Sequence, residues 1–192
     1  MFRSVRPAFV RAAAVLPVLA ACASLAGAQV GASRAVGIAV SGGANILQGD
    51  LSDAFETGFI VGGHLSIKPP LSPLGFRADV NYQRNNVKGG GANFNVVSGF
   101  ANAVFTVPAT AAPVRPYVLG GVGLGRLDFS LDDEDDEVFG GGAAETKFGF
   151  QVGAGLDIPL SGIGTFVEVG YQRYSLEGGS VGFIPIRAGI RF

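Results

Sequence analysis

One cysteine, one histidine, one methionine and no tryptophan occur in these 192 residues, and each scarcity excludes something. The single cysteine, Cys22, lies in the N-terminal apolar stretch, so the chain beyond it has no disulfide, no thiol nucleophile and no Cys-based zinc site. No stretch after residue 28 runs to about 18 consecutive apolar residues, which rules out a transmembrane helix there. Neither sign of charge is in excess, with 14 basic against 15 acidic residues. Arg3, Arg6 and Arg11 fall in the leader, so the remainder is more acidic than the whole, and nucleic acid is not an expected partner. Glycine, in contrast, is abundant at 31 residues. Each glycine in a helix interior costs about 1 kcal/mol relative to alanine, so long helices are not expected.

The first 28 residues read as a secretory signal peptide: a basic start, an apolar run from Ala12 to Leu25, and Ala26-Gly27-Ala28 as a small-residue cleavage site. The alternative is a cut within Leu19-Ala20-Ala21-Cys22, which resembles a lipobox and would leave Cys22 lipidated. Residues 29–192 form one domain, with no linker and no shift in composition.

Along that domain, apolar and polar residues alternate with the period of two that marks a strand. Leu74, Phe76, Ala78, Val80 and Tyr82 oppose Gly75, Arg77, Asp79, Asn81 and Gln83. Phe148 to Leu160 oppose Lys147, Gln151 and Asp157 in the same way, and from Phe55 to Ile67 a Phe, Val and Leu stripe opposes Glu56, Ile60 and His64. Further strands are expected at Ala35–Asn45, Asn93–Val107, Arg115–Phe129, Thr165–Leu176 and Val181–Phe192, though Ala35–Asn45 is too glycine-rich to assign its faces. In the last strand Ile184, Ile186, Ala188, Ile190 and Phe192 share one face, while Arg187 and Arg191 share the other.

Eight strands of about ten residues or more are long enough to cross a bilayer when tilted. A chain without a membrane helix can cross only as a closed barrel, in which every backbone group is paired internally. The expected fold is therefore all-β, an eight-stranded antiparallel up-and-down transmembrane barrel. Turns around Pro69, Pro113 and Ser161 fall at one end, and loops around Asp50, Gly90, Asp135 and Gly178 at the other.

The terminal Phe192 with Ile190 and Ile186 before it resembles the C-terminal signature of bacterial outer-membrane barrels, which the barrel-assembly machinery reads. The Pro116-Tyr117-Val118 segment with its spaced glycines resembles the small outer-membrane protein β-barrel domain family, the eight-stranded outer-membrane protein A/X-like barrels. This resemblance implies the cell outer membrane as location and outer-membrane lipid and lipopolysaccharide as surroundings. It also implies a structural, surface-interaction or narrow-channel role without catalysis. The same strands with inverted faces would give a soluble periplasmic barrel of the lipocalin kind around an apolar ligand.

The polar faces collect Glu56, His64, Arg77, Asp79, Lys147, Asp157, Glu168, Arg187 and Arg191, with Arg126 and Asp128 beside them. An eight-stranded barrel is only wide enough for side chains to fill, so these charges should pair across the lumen. A link from Glu168 to Arg187 is expected between adjoining strands; if such pairs switched partners, a narrow ion path would open. His64 and Ser66 resemble the active-site pair of outer-membrane lipid A deacylases, but here they would face the lumen with no obvious third carboxylate. The acidic run Asp132 to Glu137 lacks EF-hand spacing and reads as a solvated loop; divalent cations there would bridge to lipopolysaccharide. No catalytic, cofactor or metal residue is expected.

Overall fold

Eight strands form in the order β1 Val36–Gln48, β2 Gly58–Ile67, β3 Leu74–Asn86, β4 Ala92–Thr106, β5 Arg115–Leu131, β6 Glu145–Leu160, β7 Ile163–Leu176 and β8 Gly179–Arg191. The computed structural model describes residues 36–49, 52, 54–108, 114–131, 145–160 and 163–192. The expected leader, the turns around Pro113 and Ser161, and the acidic run Asp132 to Glu137 lie outside the described residues. Every strand pairs antiparallel with the next, and β8 pairs back to β1, so the sheet closes on itself and leaves no edge. The end at which β1 begins and β8 finishes is called the terminal end below, and the opposite one the loop end.

The alternation seen in the sequence sorts side chains between two environments. Val40, Val61, Val80, Phe105, Val122, Phe148, Val169 and Ile186 point outward and are exposed, forming an apolar band around the barrel. The inward positions carry Asn45, His64, Arg77, Asp79, Asn81, Gln83, Asn102, Gln151, Glu168, Gln172 and Arg187, all buried. Polar groups inside and apolar groups outside are the reverse of a water-soluble barrel, which discards the lipocalin-like alternative. Among the described residues no helix is long and apolar enough to cross a membrane.

The lumen is filled in layers. At the loop end Leu47, Phe55, Val96, Phe100, Leu127, Tyr174, Val181 and Phe183 form an apolar plug. Phe183 stacks on Phe94 at 6.0 Å and meets Tyr174 edge-on at 5.9 Å, while Phe100 meets Tyr174 at 5.9 Å. Room for the Tyr174 ring comes from Gly125 on β5: a Cβ there would stand 2.3 Å from Tyr174 Cε1. The glycines of β5 thus leave space for large rings from other strands.

Two expectations are corrected. β2 begins at Gly58 rather than Phe55, and Phe55 turns in to bridge Val87 and pack on Phe94 at 6.1 Å. Covering the lumen buries this ring, and the turn carries Glu56 out of the strand, where it is exposed and its amide donates to Asn86 O at 2.8 Å. Arg126 and Asp128 lie on the outward face of β5, because the inward positions of that strand are Tyr117, Leu119, Gly125 and Leu127.

Candidate functional site

The middle of the lumen holds a lattice centred on two carboxylates and two guanidiniums. Antiparallel pairing sets Glu168 on β7 directly opposite Arg187 on β8, and Arg187 Nε donates to Glu168 Oε1 at 2.9 Å. Arg77 reaches the same carboxylate from β3 across the lumen, through Nη1 at 2.7 Å and Nη2 at 3.1 Å. The Tyr117 hydroxyl donates to Glu168 Oε2 at 2.7 Å. Glu168 thereby receives fork-like, charge-assisted bonds from two arginines, the strongest arrangement open to a carboxylate.

Asp79 is the second hub. It accepts from Arg77 Nε at 3.2 Å, Asn102 Nδ2 at 2.6 Å and Gln151 Nε2 at 2.9 Å, and His64 Nδ1 stands 3.8 Å from its Oδ1. Gln151 continues to Gln172 at 3.0 Å and Gln172 to Gln83 at 2.6 Å, while Arg187 Nη1 donates to Asn81 at 2.8 Å. Two positive and two negative groups leave the lattice without net charge when His64 is neutral. Every strand from β3 to β8 contributes, so the lattice ties together walls that share no backbone bond.

Other charges expected in the lumen sit at its two mouths. Arg191 Nη1 grips Asp157 at 2.7 and 2.6 Å, with Arg115 3.9 Å away, and the Arg191 guanidinium lies 5.8 Å from the Phe166 ring centre. Lys68, in the turn beyond β2, has its ammonium pKa lowered by partial burial and then by the nearby Arg115 charge. At the loop end Lys147 meets Glu145 at 2.8 Å and Glu177 at 3.6 Å. The nine expected residues are thus distributed as His64, Arg77, Asp79, Glu168 and Arg187 in the lattice, Asp157 and Arg191 at the terminal mouth, Lys147 at the loop rim, and Glu56 outside.

His64 and Ser66 are engaged separately. Ser66 Oγ donates to Gly37 O at 3.2 Å, and His64 is buried in the lumen 5.3 Å from Phe166. The carboxylate missing from the sequence reading does exist, since Asp79 is the cross-strand partner of His64. Its Oδ2 accepts from Arg77, Asn102 and Gln151, while its Oδ1 stands 3.8 Å from His64 Nδ1, beyond hydrogen-bond reach.

Sequence reasoning missed the neutral members, Tyr117, Asn81, Asn102, Gln83, Gln151 and Gln172, as parts of the lattice. All but Tyr117 carried a signal, since they share the parity of Arg77 on β3, Ser98 on β4, Lys147 on β6 or Glu168 on β7. Tyr117 opens a glycine-rich strand whose faces have no such contrast.

No curated protein matches the chain. Solved structures match it in fold: Neisserial surface protein A, at 18% identity and TM-score 0.64, is covered over 96% of its length by 82% of this chain. A major outer membrane protein from Thermus thermophilus matches at 14% identity and TM-score 0.55, over 83% of this chain and 99% of that one. The outer membrane enzyme PagL matches at 18% identity and TM-score 0.50, over 81% and 98%. With a closed eight-stranded barrel, an apolar exterior and a match over residues 13–192, the chain belongs to the outer membrane protein beta-barrel domain family, whose members lie in the bacterial outer membrane.

Proposed function

We propose that this protein is a non-conducting outer-membrane scaffold that holds its loop end outward as a surface for interaction, with no catalytic role for its lumen. The observation that carries this reading is the double closure of the barrel. The Arg77–Glu168–Arg187 lattice fills the middle, and the ring cluster around Phe183 fills the loop end. An ion crossing the lumen would have to break charge-assisted bonds and then pass an apolar constriction. Breaking one buried pair alone costs several kcal/mol.

The reading against which this stands is the lipid A-modifying enzyme raised by His64 and Ser66; the outer membrane enzyme PagL shares the fold alone. The polar pair here faces the lumen, behind a wall whose outer surface is Val, Leu and Phe, so membrane lipid has no route to it. Mass spectra of lipid A from cells overproducing the protein are accordingly expected to match those from cells without it.

Planar bilayers containing the refolded protein are expected to stay electrically silent; discrete openings that survive purification would sink the scaffold reading. Orientation has its own test. An epitope inserted at Gly90, in the exposed loop between β3 and β4, is expected to bind antibody on intact cells, and binding only after the envelope is broken would reverse the assignment.

A further inference from the structure

The two mouths of the lumen differ in charge. At the loop end Lys147 meets two carboxylates, whereas at the terminal end Lys68, Arg115 and Arg191 gather around Asp157 alone. Parity brings each of them there. Arg115 pairs across the sheet with Asp157, Arg191 is an inward residue of β8, and Lys68 extends the inward series of Ile60, His64 and Ser66 past the end of β2. The turns at this end supply no balancing acid, since residues 68–73, 107–114 and 161–162 contain neither Asp nor Glu. Both arginines pair with Asp157 rather than with the terminal carboxylate that follows outward-facing Phe192. Three cations therefore face one carboxylate.

Their hydrogen bonds are incomplete as well. Arg191 uses Nη1 for both Asp157 oxygens, at 2.7 and 2.6 Å, and its Nε is buried with no acceptor among the described residues. The Arg115 guanidinium, on a half-exposed side chain, stands 3.9 Å from Asp157 and so beyond hydrogen-bond reach. The lowered pKa of Lys68, due first to partial burial and then to the Arg115 charge, shows that like charges are held close together. Space is left between them. Inward positions at this rim fall on Gly37, Gly75 and Gly164, which put no side chain into the mouth. Beneath it the rings of Phe166 and His64, 5.3 Å apart and both buried, form the floor.

We propose that the terminal mouth is a binding site for a water-borne phosphate monoester, held by Lys68, Arg115 and Arg191. Charge selects this class, because a monoester carries close to two negative charges above its second pKa of about 6, matching the excess of cations over Asp157. The phosphodiester of a membrane lipid carries only one. Geometry agrees, since a guanidinium fork meets two phosphate oxygens at once and an ammonium adds a compact point charge. Asp157 has two opposed effects, fixing the Arg191 head in the mouth while repelling the ligand that the head would bind. The site is therefore built for exchange rather than permanent occupancy. On the orientation proposed above the ligand enters from the periplasm, but the site itself does not depend on which way the barrel faces.

Isothermal titration of the full protein refolded in a non-ionic detergent, with glycerol 3-phosphate as the probe at about pH 8 and constant chloride, tests the site independently of the epitope experiment. Wild type is expected to bind saturably. Lys68→Ala with Arg115→Ala should weaken binding at least about tenfold, the effect of losing a hydrogen bond to a charged group. Asp157→Asn should shift affinity the other way, because it removes the acid that opposes the ligand. Phosphatidylglycerol added to the same micelles is expected not to displace the probe, which separates a water-borne monoester from a lipid headgroup. All three substituted residues lie outside the central lattice, and heat-modifiable migration establishes that each variant is folded. Absence of saturable binding, displacement by phosphatidylglycerol, undiminished binding on the folded double variant, or weaker binding on folded Asp157→Asn would each overturn the proposal.

Discussion

Replacing Glu168 by leucine is expected to cost about 3–5 kcal/mol of barrel stability, the penalty of leaving a buried ionic partner unpaired. Glu168, Arg77 and Arg187 are 3%, 4% and 4% exposed, so water cannot take over the lost contacts. Removing the carboxylate leaves two guanidiniums facing Asp79 alone and strips the Tyr117 hydroxyl of its acceptor. The double variant Glu168→Leu with Arg187→Leu restores one positive and one negative group. It should therefore be more stable than the Glu168→Leu single variant, although it deletes more bonds. Urea unfolding of protein refolded into vesicles, followed by loss of the fast-migrating unheated band, measures all three. A single variant that unfolds with the wild type would mean that the lattice carries no stability.

Phe183→Ala is the second large effect, about 3–5 kcal/mol, for a different reason. The ring is fully buried between Phe94 and Tyr174, and these are held by strands and cannot collapse into the space left. The contrast is Phe105→Ala on the outward face of β4, where the ring is 43% exposed and lipid replaces it. Its loss should be well under half that of Phe183→Ala in the same vesicles. Similar losses at both positions would contradict a packed plug inside and a fluid boundary outside. Conductance should stay absent in Phe183→Ala, because the lattice below the plug is untouched.

Strands β3 and β6 were legible because between Arg77 and Gln83, and between Lys147 and Asp157, every charged or amide side chain falls on one parity, and the inward faces follow it. The Glu168–Arg187 contact was legible for a related reason: the short connection between β7 and β8 fixes their register. The contact from Arg77 to Glu168 was not. It joins β3 to β7, and which inward residues meet across a barrel depends on strand tilt and stagger, which no single strand records. Arg126 was misplaced because glycine on β5 offers no contrast between faces. Glu56 was misplaced because alternation runs smoothly through a point where the chain leaves the sheet to cover the lumen with Phe55.

The span of the Arg77–Glu168 contact, 91 residues, bears on how the barrel can enter a membrane. A half-built sheet would keep Arg77 beside Asp79 on β3 and Glu168 beside Arg187 across β7 and β8, each pair balanced within its own part of the sheet. The forked contact from Arg77 to Glu168 forms only once β3 and β7 face each other across a closed wall. The contact that ties the two halves of the lumen together is thus the last to be made, and it favours the closed ring over any open sheet.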